Sequence, residues 1–302
     1  MGVSMEKGLR LVLITALISG VSVFVNGFGV AGMDAGLFTT LKNVIVAVFL
    51  LSAILLLKEW RSLKAVTRRE WGSLVLIGLV GGSVPFLLFF TGLQMTSAAQ
   101  GSLIQKTMFV FVAALAAVTL KEKIDKRMVI GGVLLVLGNL LVLRLTGFTF
   151  GAGDLLILAA TLFWAGEIVL SKRLLMASKM PGRVVALGRM GFGSLFLLLY
   201  LIVTQKITLI AGLSQNSWIW IFVTSALLYG YVFTFYEGLK TVQASVATAV
   251  LLLGTVITTL LELAWTGIVS WPQLAGGALI IAGIILFLGN KNTLRLRTST
   301  PG

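Results

Sequence analysis

Long apolar runs alternate with short polar segments along almost the whole of this 302-residue chain. A helix needs about 20 mainly apolar residues to cross a hydrocarbon core ~30 Å thick, where its backbone N–H and C=O groups must bond within the segment. By that measure the pattern predicts ten spans: Gly8 to Gly27, Gly36 to Leu57, Trp71 to Thr91, Ala98 to Leu120, Met128 to Leu145, Ala152 to Ser171, Val184 to Val203, Ser217 to Tyr236, Ala244 to Trp265 and Pro272 to Gly289. The first run has a basic flank like that of a signal peptide. It is a full span long and no small-residue cleavage site follows it, so it reads as a retained helix.

Composition agrees with an all-α polytopic membrane protein. With 58% hydrophobic and 11% charged residues, the chain has too few polar groups to cover a soluble globule of its size. The net charge of +14 would suggest nucleic acid in a soluble protein, but its placement speaks for topology and against a nucleic-acid partner. Basic residues gather at the start of the first span (Lys7, Arg10) and after the second (Lys58, Arg61, Lys64, Arg68, Arg69), fourth (Lys121, Lys123, Lys126, Arg127), sixth (Lys172, Arg173, Lys179, Arg183), eighth (Lys240) and tenth (Lys291, Arg295, Arg297). The alternate connections hold only Arg144 and Lys206. The positive-inside rule then puts both termini in the cytoplasm, and the expected location is the cell membrane. Cysteine and histidine are absent, which excludes thiol catalysis, disulfides, imidazole relays and His-ligated metals. There is no Walker loop, metal-ligand cluster or pair of intramembrane carboxylates, so no enzyme activity, metal or cofactor is expected.

The chain also resembles itself. GLQMTSAAQGSLI followed by GGVLLVLGNLLV finds a counterpart in GLKTVQASVATAV followed by GGALIIAGIILF. Gly92 pairs with Gly238, and Gly131, Gly132 and Gly138 pair with Gly276, Gly277 and Gly283. Five helices are an odd number, so the second copy enters from the other side: residues 1–148 and 149–302 are expected to form two inverted five-helix repeats. Secondary transporters built this way bind their solute near the midplane between the copies. The glycines read as sites of close helix packing, and Pro85 as a bend in the third span.

At LKEKIDKRMVIGGVLLVLGNLLV the chain resembles the EamA-type families of the drug/metabolite transporter superfamily, as do FWAGEIVLSKRLL and VVALGRMGFGSLFLLL in the second half. The resemblance runs from about Gly8 to Gly289. It implies a ten-helix transporter of small metabolites, often an exporter, with a central cavity lined by the first four helices of each repeat. It also implies that Arg189, and Lys42 in LFTTLKNVIVAVFLL, occupy comparable basic positions in the second helix of each repeat. The family's proline inside helices 4 and 9 is missing here, and the first repeat has no tryptophan matching Trp164.

Candidate substrate contacts follow from charge at depth, since a Lys or Arg at a span centre costs about 2.5–3.5 kcal/mol and so faces protein or a wet cavity. Lys106 is the clearest case, with Ser102, Gln105 and Phe109 at helical spacing around it. Its alternative is a structural pair with an acid. Glu167 shares a helix face with Trp164 and Ser171; it could pair with Lys106, bind an ammonium or proton, or pair locally with Lys172 or Arg173. Lys42 and Arg189 are expected as counterparts on the two halves of a pathway, with snorkelling to the interface as the alternative. Tyr229, Phe233 and Tyr236 form a stripe expected chiefly to pack. Glu237 and Glu262 are expected at the interface, and Asn26, Asn43, Gln100 and Asn139 in cross-helix hydrogen bonds.

The expected function is alternating-access transport of a small polar metabolite, amino acids or related carboxylates first, by a monomer or homodimer in a lipid bilayer. An intramembrane enzyme or lipid-handling protein, predicting a lateral groove and clustered acids, is the alternative; a channel lacks a visible filter.

Overall fold

The computed structural model describes residues 5–29, 33–143 and 149–289. Ten helices long and apolar enough to cross a membrane account for most of them: α1 (Glu6–Phe28), α2 (Ala35–Leu56), α3 (Arg68–Leu93), α4 (Ala98–Thr119), α5 (Lys126–Leu143), α6 (Ala152–Ala177), α7 (Gly182–Val203), α8 (Gln215–Leu239), α9 (Ala244–Thr266) and α10 (Trp271–Leu288). Every predicted span is present. The clearest change is in α6, which runs on past Ser171 to Ala177 because Lys172 is buried rather than at a water interface. Arg144, Leu145, Lys291, Arg295 and Arg297 lie outside the described residues.

The packing is its own image under exchange of the repeats. Helix α1 packs on α8 and α9, while α6 packs on α3 and α4; α2 packs on α8, while α7 packs on α3. The pairs α2–α7, α4–α9 and α5–α10 map onto themselves. Glycines set the closest crossings. A Cβ on Gly92 would come within 2.6 Å of the Gly153 carbonyl, and one on Gly238 within 2.9 Å of the Gly8 carbonyl, the same contact in each repeat. A Cβ on Gly131 would lie 2.8 Å from the Gly283 carbonyl, and one on Gly138 2.6 Å from that of Gly276, which makes α5 and α10 antiparallel.

Local backbone repeats as well. The second helix of each copy is followed by a left-handed residue, Lys58 (φ 56°) or Gln205 (φ 60°), and so is the fourth, by Lys121 (φ 56°) or Gly267 (φ 69°). Helices α4 and α9 each break once, at Thr107 and Leu252, where the Val110 and Thr255 N–H groups donate three residues back, to Thr107 and Leu252. No proline makes these breaks. Helix α3 is interrupted at Ser83 (φ −138°, ψ −71°), whereas α8 is continuous.

Candidate functional site

Pro85 has no N–H, so the carbonyl four residues earlier, that of Gly81, loses its helical partner. Trp164 Nε1 on α6 donates to it at 3.1 Å. The Gly82 carbonyl is also released, because the Phe86 N–H turns to Ser83, and Asn43 Nδ2 on α2 donates to it at 3.1 Å. The expected bend in α3 is thus a break whose exposed carbonyls are held by neighbouring helices. Trp164 is further fixed between the rings of Phe86 and Phe89.

Beside this break lies Glu167, buried to 1% exposure. Ser171 Oγ and Tyr236 Oη each donate to its Oε1 at 2.6 Å, and Arg189 Nε stands 3.6 Å from Oε2, an ion pair rather than a hydrogen bond. Tyr231 lies within electrostatic reach of both charges. Glu167 therefore pairs with Arg189. Of the other expected partners, Lys106 makes no ion pair with it, and Lys172 turns away to the carbonyls of Leu239, Lys240 and Val242 at 2.8, 3.3 and 2.8 Å, capping the end of α8. Arg189 does not snorkel, since its partner is buried. The aromatic stripe of α8 divides: Tyr229 packs edge-on against Phe49, Phe233 lies under Arg183, and Tyr236 bonds Glu167.

Lys42 is 8% exposed, donates to Asn26 Oδ1 at 3.2 Å and covers the Phe38 ring, while Asn26 Nδ2 donates to Ser22 Oγ at 3.2 Å. Lys106 sits at the break in α4, deep in the bundle yet with part of its side chain open. Among the described residues it makes no hydrogen bond or ion pair, and neither do the side chains of Ser102 and Gln105. The site residues thus form an engaged group around Glu167 and two cations without an acidic partner among the described residues, Lys42 and Lys106. Asn139 bonds Leu135 in its own helix rather than crossing to another.

The end carrying most of the lysines and arginines, here the basic end, is closed. Arg183 Nη2 and Nε contact Glu59 at 2.6 and 2.5 Å, and Glu237 accepts from the Arg183 N–H at 3.1 Å. Glu237 is therefore a buried latch, not an interfacial acid, because α7 begins directly against it. Glu122 caps α9, accepting from the Ala244 and Ser245 N–H groups at 2.7 and 3.1 Å. The basic-end halves of α4 and α9 pack together; their other halves pack on α5 and α6, and on α1 and α10, respectively. At the opposite end Lys206 pairs with Asp34 at 2.7 Å.

Two lateral grooves open on the bundle's flank, of about 390 Å³ between α2, α3 and α7 and about 480 Å³ between α4, α5 and α10. Their linings are almost wholly apolar, and no cluster of three acids exists among the described residues. Ser194 and the Trp71 indole are the polar side chains in these linings.

The EamA-like transporter family model matches this chain twice, over residues 6–144 and 151–289. The chain is similar to the uncharacterized transporter YyaM of Bacillus subtilis (strain 168), 27% identical over 236 residues that cover 75% of this chain and 76% of that protein. It is also similar to an uncharacterized transporter of Methanothermobacter thermautotrophicus, 31% identical over 113 residues, 35% of this chain and 33% of that one. A solved crystal structure covers 92% of this chain with 97% of its own, at a TM-score of 0.75 and 19% identity, a likeness of fold.

Proposed function

Because the chain belongs to the EamA-like transporter family, we propose that it moves a small carboxylate-bearing metabolite across the cell membrane by alternating access, as an exporter, with residues 1–148 and 149–302 as its two moving halves. Amino acids are the leading substrate class. The basic end, by its charge, is the cytoplasmic one, and its latch is the inner closure of the pathway.

Lys106 carries this reading. All ten aspartate and glutamate side chains fall among the described residues, and none pairs with it. A lysine at such depth costs about 2.5–3.5 kcal/mol on an insertion scale, and this one is left for an anion that the chain does not supply. Gln105 and Ser102 stand ready to accept or donate hydrogen bonds around that anion. Glu167, Arg189 and Tyr236 lie in the basic half, where their mutual bonds hold the inner side shut.

The test is flux in liposomes with a panel of labelled amino acids and other small carboxylates. Uptake of at least one solute is expected, with a weaker apparent affinity in Lys106→Ala. Absence of flux for the whole panel, or an affinity that Lys106→Ala leaves unchanged, refutes the assignment.

A further inference from the structure

The arrangement around Glu167 recurs, with one substitution of consequence, in the other half of the bundle. Glu167 and Ser171 follow Gly153 by 14 and 18 residues, as Ser22 and Asn26 follow Gly8, and the two glycines make the same packing contact. Arg189 precedes the left-handed Gln205 by 16 residues, as Lys42 precedes the left-handed Lys58. The first helices carry equivalent i,i+4 bonds, Ser171 to Glu167 at 2.6 Å and Asn26 to Ser22 at 3.2 Å. In each half a cation from the second helix reaches this pair: Arg189 to Glu167, Lys42 to Asn26.

What differs is the carboxylate. The inner cation has one; the outer cation has an amide oxygen and a ring, and serine stands where glutamate would be. None of the chain's ten acids compensates Lys42, since the nearest in sequence, Asp34, is held by Lys206. Asn26, Ser22 and Lys42 lie on the half of α1 and α2 away from the basic latch.

Building on the transporter reading, we infer that Lys42, Asn26 and Ser22 form a second anion position, which takes a carboxylate of the solute while the basic end is shut. An incoming carboxylate replaces the Asn26 oxygen at Lys42 Nζ and accepts from Ser22 Oγ, restoring the charge pattern that Glu167 supplies on the other side. The solute's own acid group thereby completes the symmetry that the sequence leaves open.

The test follows thermal unfolding of the detergent-purified full chain against sodium acetate, inorganic phosphate and chloride at matched ionic strength, because a ligand of the folded state raises its apparent stability. Acetate is expected to raise the Tm, and Lys42→Gln to increase the half-effective acetate concentration by about tenfold, a change worth about 1.4 kcal/mol. Ser22→Glu, which installs the missing acid, is expected to raise the ligand-free Tm and remove the Lys42-dependent acetate response. An acetate response equal to wild type in Lys42→Gln overturns the proposal, and so does an equal or larger response to chloride or phosphate, which would break its carboxylate chemistry. Should Lys42→Gln not fold, an unchanged response in Ser22→Glu overturns it. Acetate binding that needs Lys42 without any liposome flux would strike the transport reading alone; flux without Lys42 dependence would strike only this position.

Discussion

The crossing of α2 and α7 is latched at both ends, by Glu59–Arg183 at one and Lys206–Asp34 at the other, yet the two ends are built to different strength. The basic latch is shared with Glu237 and backed by Lys172, which holds three carbonyls at and just beyond the end of α8. The opposite latch stands alone. Position 27, equivalent to Lys172 by the register of α1 and α6, is a glycine with open space beside it. Backbone symmetry fixes where a latch can form, and side chains decide how many partners hold each one.

The strongest way to break this contrast is Glu167→Leu, which strands Arg189 in the closed half. Removing one partner of a buried pair costs about 3–5 kcal/mol, so a large fall in Tm is expected; a loss within 1 kcal/mol of wild type on the same scale would mean the pair is not sealed. Arg183→Ala comes next, leaving Glu59 and Glu237 without their shared cation. The chain has no cysteine, so labelling of a Val242→Cys reporter by a water-soluble thiol reagent from the basic side is clean. A shift of about 1.4 kcal/mol toward opening reads as roughly tenfold faster labelling, and an unchanged rate would show that the closure does not depend on this arginine.

Trp164→Phe keeps a ring between Phe86 and Phe89 but leaves the Gly81 carbonyl unpaired, for an expected loss of about 1–3 kcal/mol. If Trp164→Phe unfolds at the wild-type Tm, the capture of that carbonyl contributes nothing. The smallest effect belongs to Asp34→Asn, about 0–1 kcal/mol for a partly exposed pair. Burial pushes the Asp34 carboxyl up, but the Lys206 ammonium and the N–H groups of Leu37 and Gly36 outweigh it and hold it below its ordinary 3.8. The hydrogen bond to Asp34 raises Lys206 above its ordinary 10.5. The pair's contribution is thus full between those two values, lost on the acid side as Asp34 protonates and on the alkaline side as Lys206 deprotonates. A difference between wild type and Asp34→Asn that changes between pH 5 and 9, bounds set roughly by those ordinary values, would contradict this.

The spans, the duplication and the packing glycines were legible because each depends on residues near in sequence or on spacing that the fold preserves. The depth of Lys106 was legible for the same reason: a charge inside an apolar run marks itself. The partner of Glu167 was not, because Arg189 and Tyr236 meet it only through the rotation of three packed helices, which no local pattern encodes. Tyr236 looked like one of a packing stripe, and only its depth beside a carboxylate distinguishes it from Tyr229. The breaks at Thr107 and Leu252 lack the proline that would announce them, and the place of Glu237 near a helix end suggests an interface, whereas the start of α7 against it is a tertiary contact.

The seam of α5 and α10 has an implication for descent. Its two glycine contacts are one contact used twice, so a half-length polypeptide could satisfy both by meeting an upside-down twin, in the manner of an isologous dimer. Joining two such genes end to end would preserve that embrace while freeing each copy to acquire its own charges.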